Sequence, residues 1–348
     1  MKKKLSYLLV LFISFQISAI AQKKNYKVAC IGFYNLENLF DTINQPEVND
    51  EEFTPNGSNH YTPEVYKDKL SKLEAVISDI GKDASPDGVA LLGVAEIENI
   101  TVLQDLVNQP LLKDRKLQIV HYDSPDERGI DVGLIYNPKY LKVKHSEKLF
   151  VEIMNDDGSP RFTRDILYVN GMMDGEPIHV FVNHWPSRRG GEAASAPGRA
   201  KAASVARAKI DSIQAVNPAA KIILMGDLND DPISPSVTNV LMATGDTALA
   251  NNGRLYNPWV KYYSKGIGTL AYNDAWNLFD QIVISSSFIN KNQKGLFLKD
   301  ARIYRKEFMI QQSGRYKGYP KRTYDFSKYI GGYSDHLPTY LILLKEIQ

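Results

Sequence analysis

The chain of 348 residues contains one cysteine, six histidines and little net charge. Each scarcity excludes something. A lone thiol cannot close an internal disulfide, so stability must come from core burial. Few histidines, no second cysteine and no H-E-x-x-H make a poor zinc site. No stretch beyond the first 21 residues is long and apolar enough to cross a bilayer. The formal charge is +2, and removing Lys2, Lys3 and Lys4 with the leader takes it to −1. That balance lacks the global basic field of a protein that wraps nucleic acid. Phosphate chemistry at a local site remains open.

What is present begins with the leader. Met1 to Lys4 is a basic start, Leu5 to Ile20 is mostly apolar, and Ala19-Ile20-Ala21 has the small-residue pattern of a cleavage site. Residues 1–21 are therefore expected to be an export signal, and the product secreted or periplasmic. Lys23, Lys24 and Lys27 separate Cys30 from the leader, which argues against a lipid anchor. Cys30 reads instead as a small core residue in the run Val28 to Phe33.

The remainder, 22–348, shows no repeat or linker and is expected to form one domain. A hydrophobic fraction of 43% and a charged fraction of 24% suit a globular chain. Apolar, β-branched runs of strand length recur at Lys27–Tyr34, Val89–Val94, Asp131–Tyr136, Asp165–Val169, Ile178–Val182, Lys221–Met225, Gln281–Ile284 and Thr339–Leu344. Asp174-Gly175 between two of them predicts a hairpin. Thr62-Pro63 opens a helix with Tyr66, Leu70, Leu73, Ile77 and Ile80 on one face, and Gly81 stops it. A second helix is predicted from about Arg199 to Ile213. Pro46–Asn59 and Ala250–Asn273 read as long surface loops. Strands, hairpins and helices mixed in this way predict an α/β sandwich with mixed sheets.

The polar residues at the strand ends carry the chemistry. FYNLENLF puts Asn35 and Glu37 after the first strand, and VALLGVAEIEN puts Glu96 and Glu98 after the second. HVFVNHWPSRRGG brings His184, Arg188 and Arg189, KIILMGDLNDD brings Asp227 and Asn229, and LFDQIVIS brings Asp280. GGYSDHLP supplies Asp335 and His336. Residues two apart on an extended segment share a face, so Asn35 and Glu37, and likewise Asp227 and Asn229, are expected to enter one pocket. Carboxylates and amides are hard oxygen donors, which suit Mg2+, Mn2+ or Ca2+ beside a phosphate.

In this order and spacing NLEN, NHWPSRRGG, GDLND and SDH resemble the endonuclease/exonuclease/phosphatase superfamily. The similarity spans nearly all of the chain after the leader. It implies a four-layer α/β sandwich, two mixed β-sheets packed face to face and flanked by helices, with the site at the top of the sheets. It further implies that Asn35 contacts the scissile phosphate and that Glu37 and Glu96 bind the divalent ion with Asp335 close by. Asp227, aided by Asn229, would orient or deprotonate water. His184 would contact phosphate oxygens, and His336, held by Asp280, would stabilise the pentacovalent phosphorus. Asp131 is a candidate partner for His184, Glu98 competes with Glu96 as a ligand, and Arg188 and Arg189 are candidates for holding phosphate.

Residues 302–328 mix Arg and Lys with tyrosines, a composition that suits a flexible nucleic-acid strand or another anionic surface. The expected activity is a secreted, divalent-metal-dependent phosphodiester hydrolase, with a nuclease as the leading reading. A sphingomyelinase-like or small-phosphoester phosphatase is the alternative, and a non-catalytic module on the same fold is the alternative of another class. A monomer with a phosphoester substrate and no stable membrane insertion is expected.

Overall fold

A computed structural model describes residues 24–155, 157–251, 253–289 and 295–347. The expected leader lies outside them. The strands are, in order, β1 (Tyr26–Leu39), β2 (Val89–Ile97), β3 (Gln118–His121), β4 (Asp131–Tyr136), β5 (Leu141–Leu149), β6 (Glu152–Met154), β7 (Pro160–Phe162), β8 (Ile166–Met173), β9 (Glu176–His184) and β10 (Lys221–Asp227). They continue with β11 (Ala243–Thr244), β12 (Leu255–Tyr256), β13 (Leu270–Tyr272), β14 (Ala275–Asn277), β15 (Asp280–Ser285), β16 (Phe297–Ile303), β17 (Tyr324–Asp325), β18 (Lys328–Tyr329) and β19 (Thr339–Glu346). The α-helices are α1 (Pro63–Asp79), α2 (Ile100–Val107), α3 (Glu192–Val216) and α4 (Val260–Tyr263).

One sheet has six strands in the order β16-β19-β1-β2-β4-β3, and the other has seven in the order β11-β12-β15-β10-β9-β8-β5. Both are mixed, with β1 parallel to β2 and β9 parallel to β10 among antiparallel neighbours. Three apolar clusters define four layers. One fills the space between the sheets, one lies between the six-stranded sheet and α1 and α2, and one lies between the seven-stranded sheet and α3. Fold class and layer order agree with the sequence expectation.

The capping and hairpin rules hold where they were applied, whereas the alternation expected at the strand ends is broken by left-handed φ at Glu37, Glu96 and Asn229. Thr62 caps α1 through Val65 N–H with Pro63 at the first helical position, and Gly81 leaves the helix at a φ of 78°. Asp174 and Gly175 both take positive φ in the β8–β9 turn. Cys30 is buried. The loop 250–273 differs from its sequence reading. Trp259 packs into the inter-sheet core and its indole N–H donates to Ile282 O at 3.0 Å, so the segment is anchored rather than free.

Strand parity positions the site. Ile31 and Phe33 of β1, Val180 and Val182 of β9, Ile223 and Met225 of β10, and Ile282 and Ile284 of β15 all face the inter-sheet core. Alternation fixes what comes one step beyond each row. Asn35, His184 and Asp227 continue the first three rows, and Asp280 precedes the fourth. Asp227 stands directly between His184 and Asp280 in the ladder. The core between the sheets therefore ends, at one edge, in polar side chains.

Candidate active site

Two hydrogen bonds join the sheets at this edge. Asn35 Nδ2 donates to Asp227 Oδ2 at 3.0 Å, and His336 Nδ1 lies 2.7 Å from Asp280 Oδ2. The second bond places Nδ1–H against the carboxylate and leaves Nε2 turned inward. Ser334 secures the loop that carries His336: its hydroxyl donates to Asn35 O at 2.8 Å and accepts from His336 N–H at 3.1 Å. Asn229 donates its N–H to Asp227 Oδ1 at 3.0 Å and its amide to Trp185 O at 2.9 Å.

Around Asp227 the functional groups face one another without closing. His184 Nε2 is 3.7 Å from Asp227 Oδ2 and 3.7 Å from Glu96 Oε1. His336 Nε2 is 3.8 Å from Asp227 Oδ2 and 3.9 Å from Asp335 Oδ1. These separations exceed hydrogen-bond length, so the groups keep their capacity for a third party. Glu96 Oε1, Glu37 Oε1 and Asp335 Oδ1 have no hydrogen-bond partner among the described residues. At this edge the side chains whose donor atoms lie within 4.8 Å of one another are Asp227, Asp280 and His336, and the open oxygens of Glu96, Glu37 and Asp335 add hard donors of the kind a divalent ion takes.

Burial and neighbours push the two imidazoles in opposite directions. Burial would lower His336, but the Asp280 and Asp227 carboxylates outweigh it and raise it well above the usual value. Burial lowers His184 well below that value, and the Arg164 guanidinium lowers it further. Burial raises the Asp227 carboxyl to about 7 against the pull of His336. Burial and the Asp335 charge likewise raise Glu37 to about 7. Burial would raise Asp335, yet His336 and Arg322 hold it below the ordinary range.

The structure brings together Asn35, Glu37, Glu96, His184, Asp227, Asn229, Asp280, Asp335 and His336. It corrects four other expectations. The pair between Asp131 and His184 does not form. Val132, Leu134 and Tyr136 face the inter-sheet core, so Asp131 has the opposite parity and binds His121 Nε2 at 3.0 Å and Ser124 N–H at 2.8 Å. His184 Nδ1 has no partner among the described residues. Glu98 does not share the facing of Glu96, because Glu96 itself takes a φ of 58° and breaks the alternation. Glu98 turns to Asp41 N–H at 2.6 Å and Gln45 Nε2 at 2.9 Å.

Arg188 is spent on structure. It donates to Asn229 O at 3.0 Å, Glu192 at 3.1 Å, Asp230 at 3.3 Å and Asp231 at 3.2 Å, and it lies over the Phe279 ring. Arg189 is exposed in a separate cleft between the β6–β7 hairpin and the start of α3.

The basic, aromatic segment 302–328 divides in two. Arg302 pairs with Asp83 and Asp300, and Tyr304 donates to Asp79 at 2.7 Å, so these residues serve packing. Arg315, Tyr316, Tyr319 and Arg322 line a cavity of about 220 Å³ that reaches Asp335.

Arg164 and Lys69 escaped the sequence reading, and Arg322 entered it only as part of the basic segment 302–328. Arg164 donates to His184 O and Trp185 O and pairs with Asp126 at 2.9 Å, which fixes the His184 backbone. Lys69 is fully buried on α1, and Arg322 bonds Asp335 at 2.8 Å. For Lys69 a sign existed, a lone cation one residue before Leu70 on an apolar helical face.

Two mixed sheets closed by helices, with acids and imidazoles converging at one edge, define a sandwich enzyme that hydrolyses ester bonds. The model of the Endonuclease/Exonuclease/phosphatase family matches residues 30–345, and the chain belongs to that family. The solved structures it resembles include a D. rerio TDP2 complexed with a single-strand DNA product, at 14% identity and a TM-score of 0.53, covering 91% of this chain and 98% of that one. An endonuclease/exonuclease/phosphatase family protein from Bacteroides thetaiotaomicron is similar at 15% identity and 0.53, covering 93% and 100%. A mannosyl-6-phosphatase from the same organism is similar at 15% and 0.53, covering 90% and 99%. At these identities the likeness is one of fold. No curated protein matches the sequence.

Proposed function

We propose that this edge is the catalytic centre of a divalent-metal-dependent phosphodiester hydrolase, with nucleic acid as the first substrate. The observation that carries the reading is Asp227 flanked at 3.7 and 3.8 Å by two imidazoles of opposite protonation tendency. Groups whose proton affinities are driven apart serve as acid and base. Asp227, raised to about 7, orients water and accepts its proton near neutrality. His336, protonated and steadied by Asp280, donates toward a phosphoryl oxygen. His184 stays neutral, and Asn35 and Asn229 fix the Asp227 carboxylate and the position of the phosphate. Glu96, Glu37 and Asp335 would hold the ion, which when bound offsets the charge that develops on phosphorus.

The aromatic and arginine-lined cavity beside Asp335 supports a nucleic-acid strand over a small ester, since bases stack on such rings. We also read 22–348 as one domain, exported after removal of 1–21. No helix among the described residues is long and apolar enough to cross a membrane.

The test is product release from plasmid DNA, sphingomyelin and a chromogenic bis-phosphoester, each with magnesium and with chelator. Chelator-sensitive nicking of the plasmid is expected. Release only from sphingomyelin or the small ester would transfer the site to that substrate, and release from none would overturn the reading. N-terminal sequencing of exported protein should begin at Gln22.

A further inference from the structure

We propose that Arg322 is the cation that receives the substrate's phosphate, and that Lys69, Thr323 and Gly332 position it. The proposal rests on the hydrolase reading above. It begins from a deficit. A phosphoester brings negative charge to an edge already holding Glu37, Glu96, Asp227, Asp280 and Asp335, while Arg188 is engaged elsewhere and Arg189 lies in a separate cleft.

Arg322 is placed to answer that charge. Its Nη2 donates to Asp335 Oδ2 at 2.8 Å, and its Nε lies 4.0 Å from Glu37 Oε1. Asp335 Oδ1 is in turn 3.9 Å from His336 Nε2, so one carboxylate separates the guanidinium from the inward imidazole nitrogen. Arg322 lines both clefts onto which Asp335 opens, and its side chain is 37% exposed. One side of the guanidinium lies 5.7 Å from the Tyr316 ring. Among the described residues Nη1 has no partner, so donors remain for two phosphate oxygens in the forked geometry that guanidinium favours.

The backbone under Arg322 is held unusually firmly for a loop. Thr323 donates both its N–H and its hydroxyl to Glu37 Oε2, each at 2.8 Å. The same hydroxyl accepts from Lys69 Nζ at 2.6 Å. Lys69 is wholly buried on α1, and this is its only side-chain hydrogen bond among the described residues. Burying an ammonium costs several kcal/mol unless nearby charge repays it, and Glu37 lies one hydroxyl away. From the other side, a Cβ at Gly332 would come within 2.0 Å of both Lys321 O and Arg322 O. The second glycine of GGYSDHLP therefore lets the SDH loop and the Arg322 segment lie against each other. Arg322 and His336 are thus fixed to one support.

The test uses the whole protein loaded with Mn2+ and inorganic phosphate as the probe. Phosphate affinity is read by calorimetry and Mn2+ affinity by titration in its absence. R322A is expected to weaken phosphate binding by roughly ten- to a hundredfold, the scale of hydrogen bonds to a charged group. Mn2+ affinity should hold or tighten, because a competitor for Asp335 is gone. R322K should recover part of the loss. G332A removes no charged group but forces the Arg322 segment and the SDH loop apart, so it should weaken phosphate binding although Arg322 itself is retained.

R322A with wild-type phosphate affinity would overturn the proposal. So would a larger loss in R189A, or a loss of Mn2+ affinity in R322A as great as that of phosphate, which would make Arg322 a mere support for Asp335. Wild-type protein that binds Mn2+ but no phosphate would overturn the reading of the whole site, and the role of Arg322 with it.

Discussion

The two sheets contribute unlike halves of the site. The six-stranded sheet and its loops bring Glu37, Glu96 and Asp335, whose side chains are 10%, 16% and 31% exposed. The seven-stranded sheet brings His184, Asp227 and Asp280, at 2%, 3% and 0%. The more open Glu96 and Asp335 can exchange their water for an ion, whereas buried groups, Glu37 among them, keep the proton affinity that their surroundings impose. On the proposed reading, one sheet would hold the ion and the other would move protons. His336 crosses the division: its chain belongs to the first sheet and its partner Asp280 to the second. On the reading proposed above, neither sheet carries a complete site, which forms only where the two sheets of the sandwich meet.

Four experiments would break or sharpen this division. The largest effect is expected from H336A and D227N, which should each lower kcat by roughly a hundred- to ten-thousandfold with little change in the Mn2+ titration. A comparable loss of metal affinity in D227N would erase the distinction between the sheets. Next, E96Q should raise the divalent concentration for half-maximal rate by on the order of tenfold, with excess metal restoring much of kcat. H184A should instead lower kcat at every metal concentration.

A smaller effect tests the seam. N35A removes the bond to Asp227 and leaves a buried carboxylate oxygen without that donor, costing about 1–3 kcal/mol. The Tm should fall by several degrees, and an unchanged Tm would mean the sheets do not depend on this contact.

The smallest effect is in pH. Asp227, Glu37 and Glu98 are each raised to about 7, mainly by burial. Between about pH 4 and 7 the folded, metal-free protein keeps protons that the unfolded chain releases, so stability falls as pH rises through that window. His336, also raised, extends the decline above its unfolded value near 6.5. His184, lowered by burial, opposes it below 6.5 but is one group against three. The metal-free Tm should therefore be lower at pH 8 than at pH 5, and divalent ion should shrink the difference. A metal-free Tm that rises over this range would contradict the assigned burial of these carboxyls.

What the sequence shows depends on where a strand lies. The apolar runs predict β1, β2, β4, β8, β9, β10, β15 and β19, and every one of these is interior to its sheet. The edge strands β3, β5, β11 and β16 escape. Lys142, Lys144, Glu147 and Lys148 make β5 half-solvated, and β11 is two residues long. An edge has one partner and a wet face, so its composition approaches that of a loop.

The site follows the same logic. Polar residues that extend an apolar row, such as Asp227 after Ile223 and Met225, were legible as inward groups. Asp131 was not, because IDVGLIY is apolar on both faces and parity cannot be read from it. Arg188 looked free because the acids that hold it, Asp230 and Asp231, lie more than forty residues on.

By itself the sequence determined the interior strands other than the two-residue β12, the capped helix α1, the layered class and the residues able to do phosphate chemistry. Side-chain period and turn stereochemistry act over a few neighbours, so a linear reading captures them. The pairing of Asp280 with His336 was expected from the family resemblance, whereas only the tertiary structure decided that His121 claims Asp131, that Lys69 and Thr323 brace Glu37, and that Arg322 rather than Arg188 faces Asp335. Those choices depend on the left-handed turns at Glu37 and Glu96 and on how two sheets meet, and both are settled by packing across distant parts of the chain.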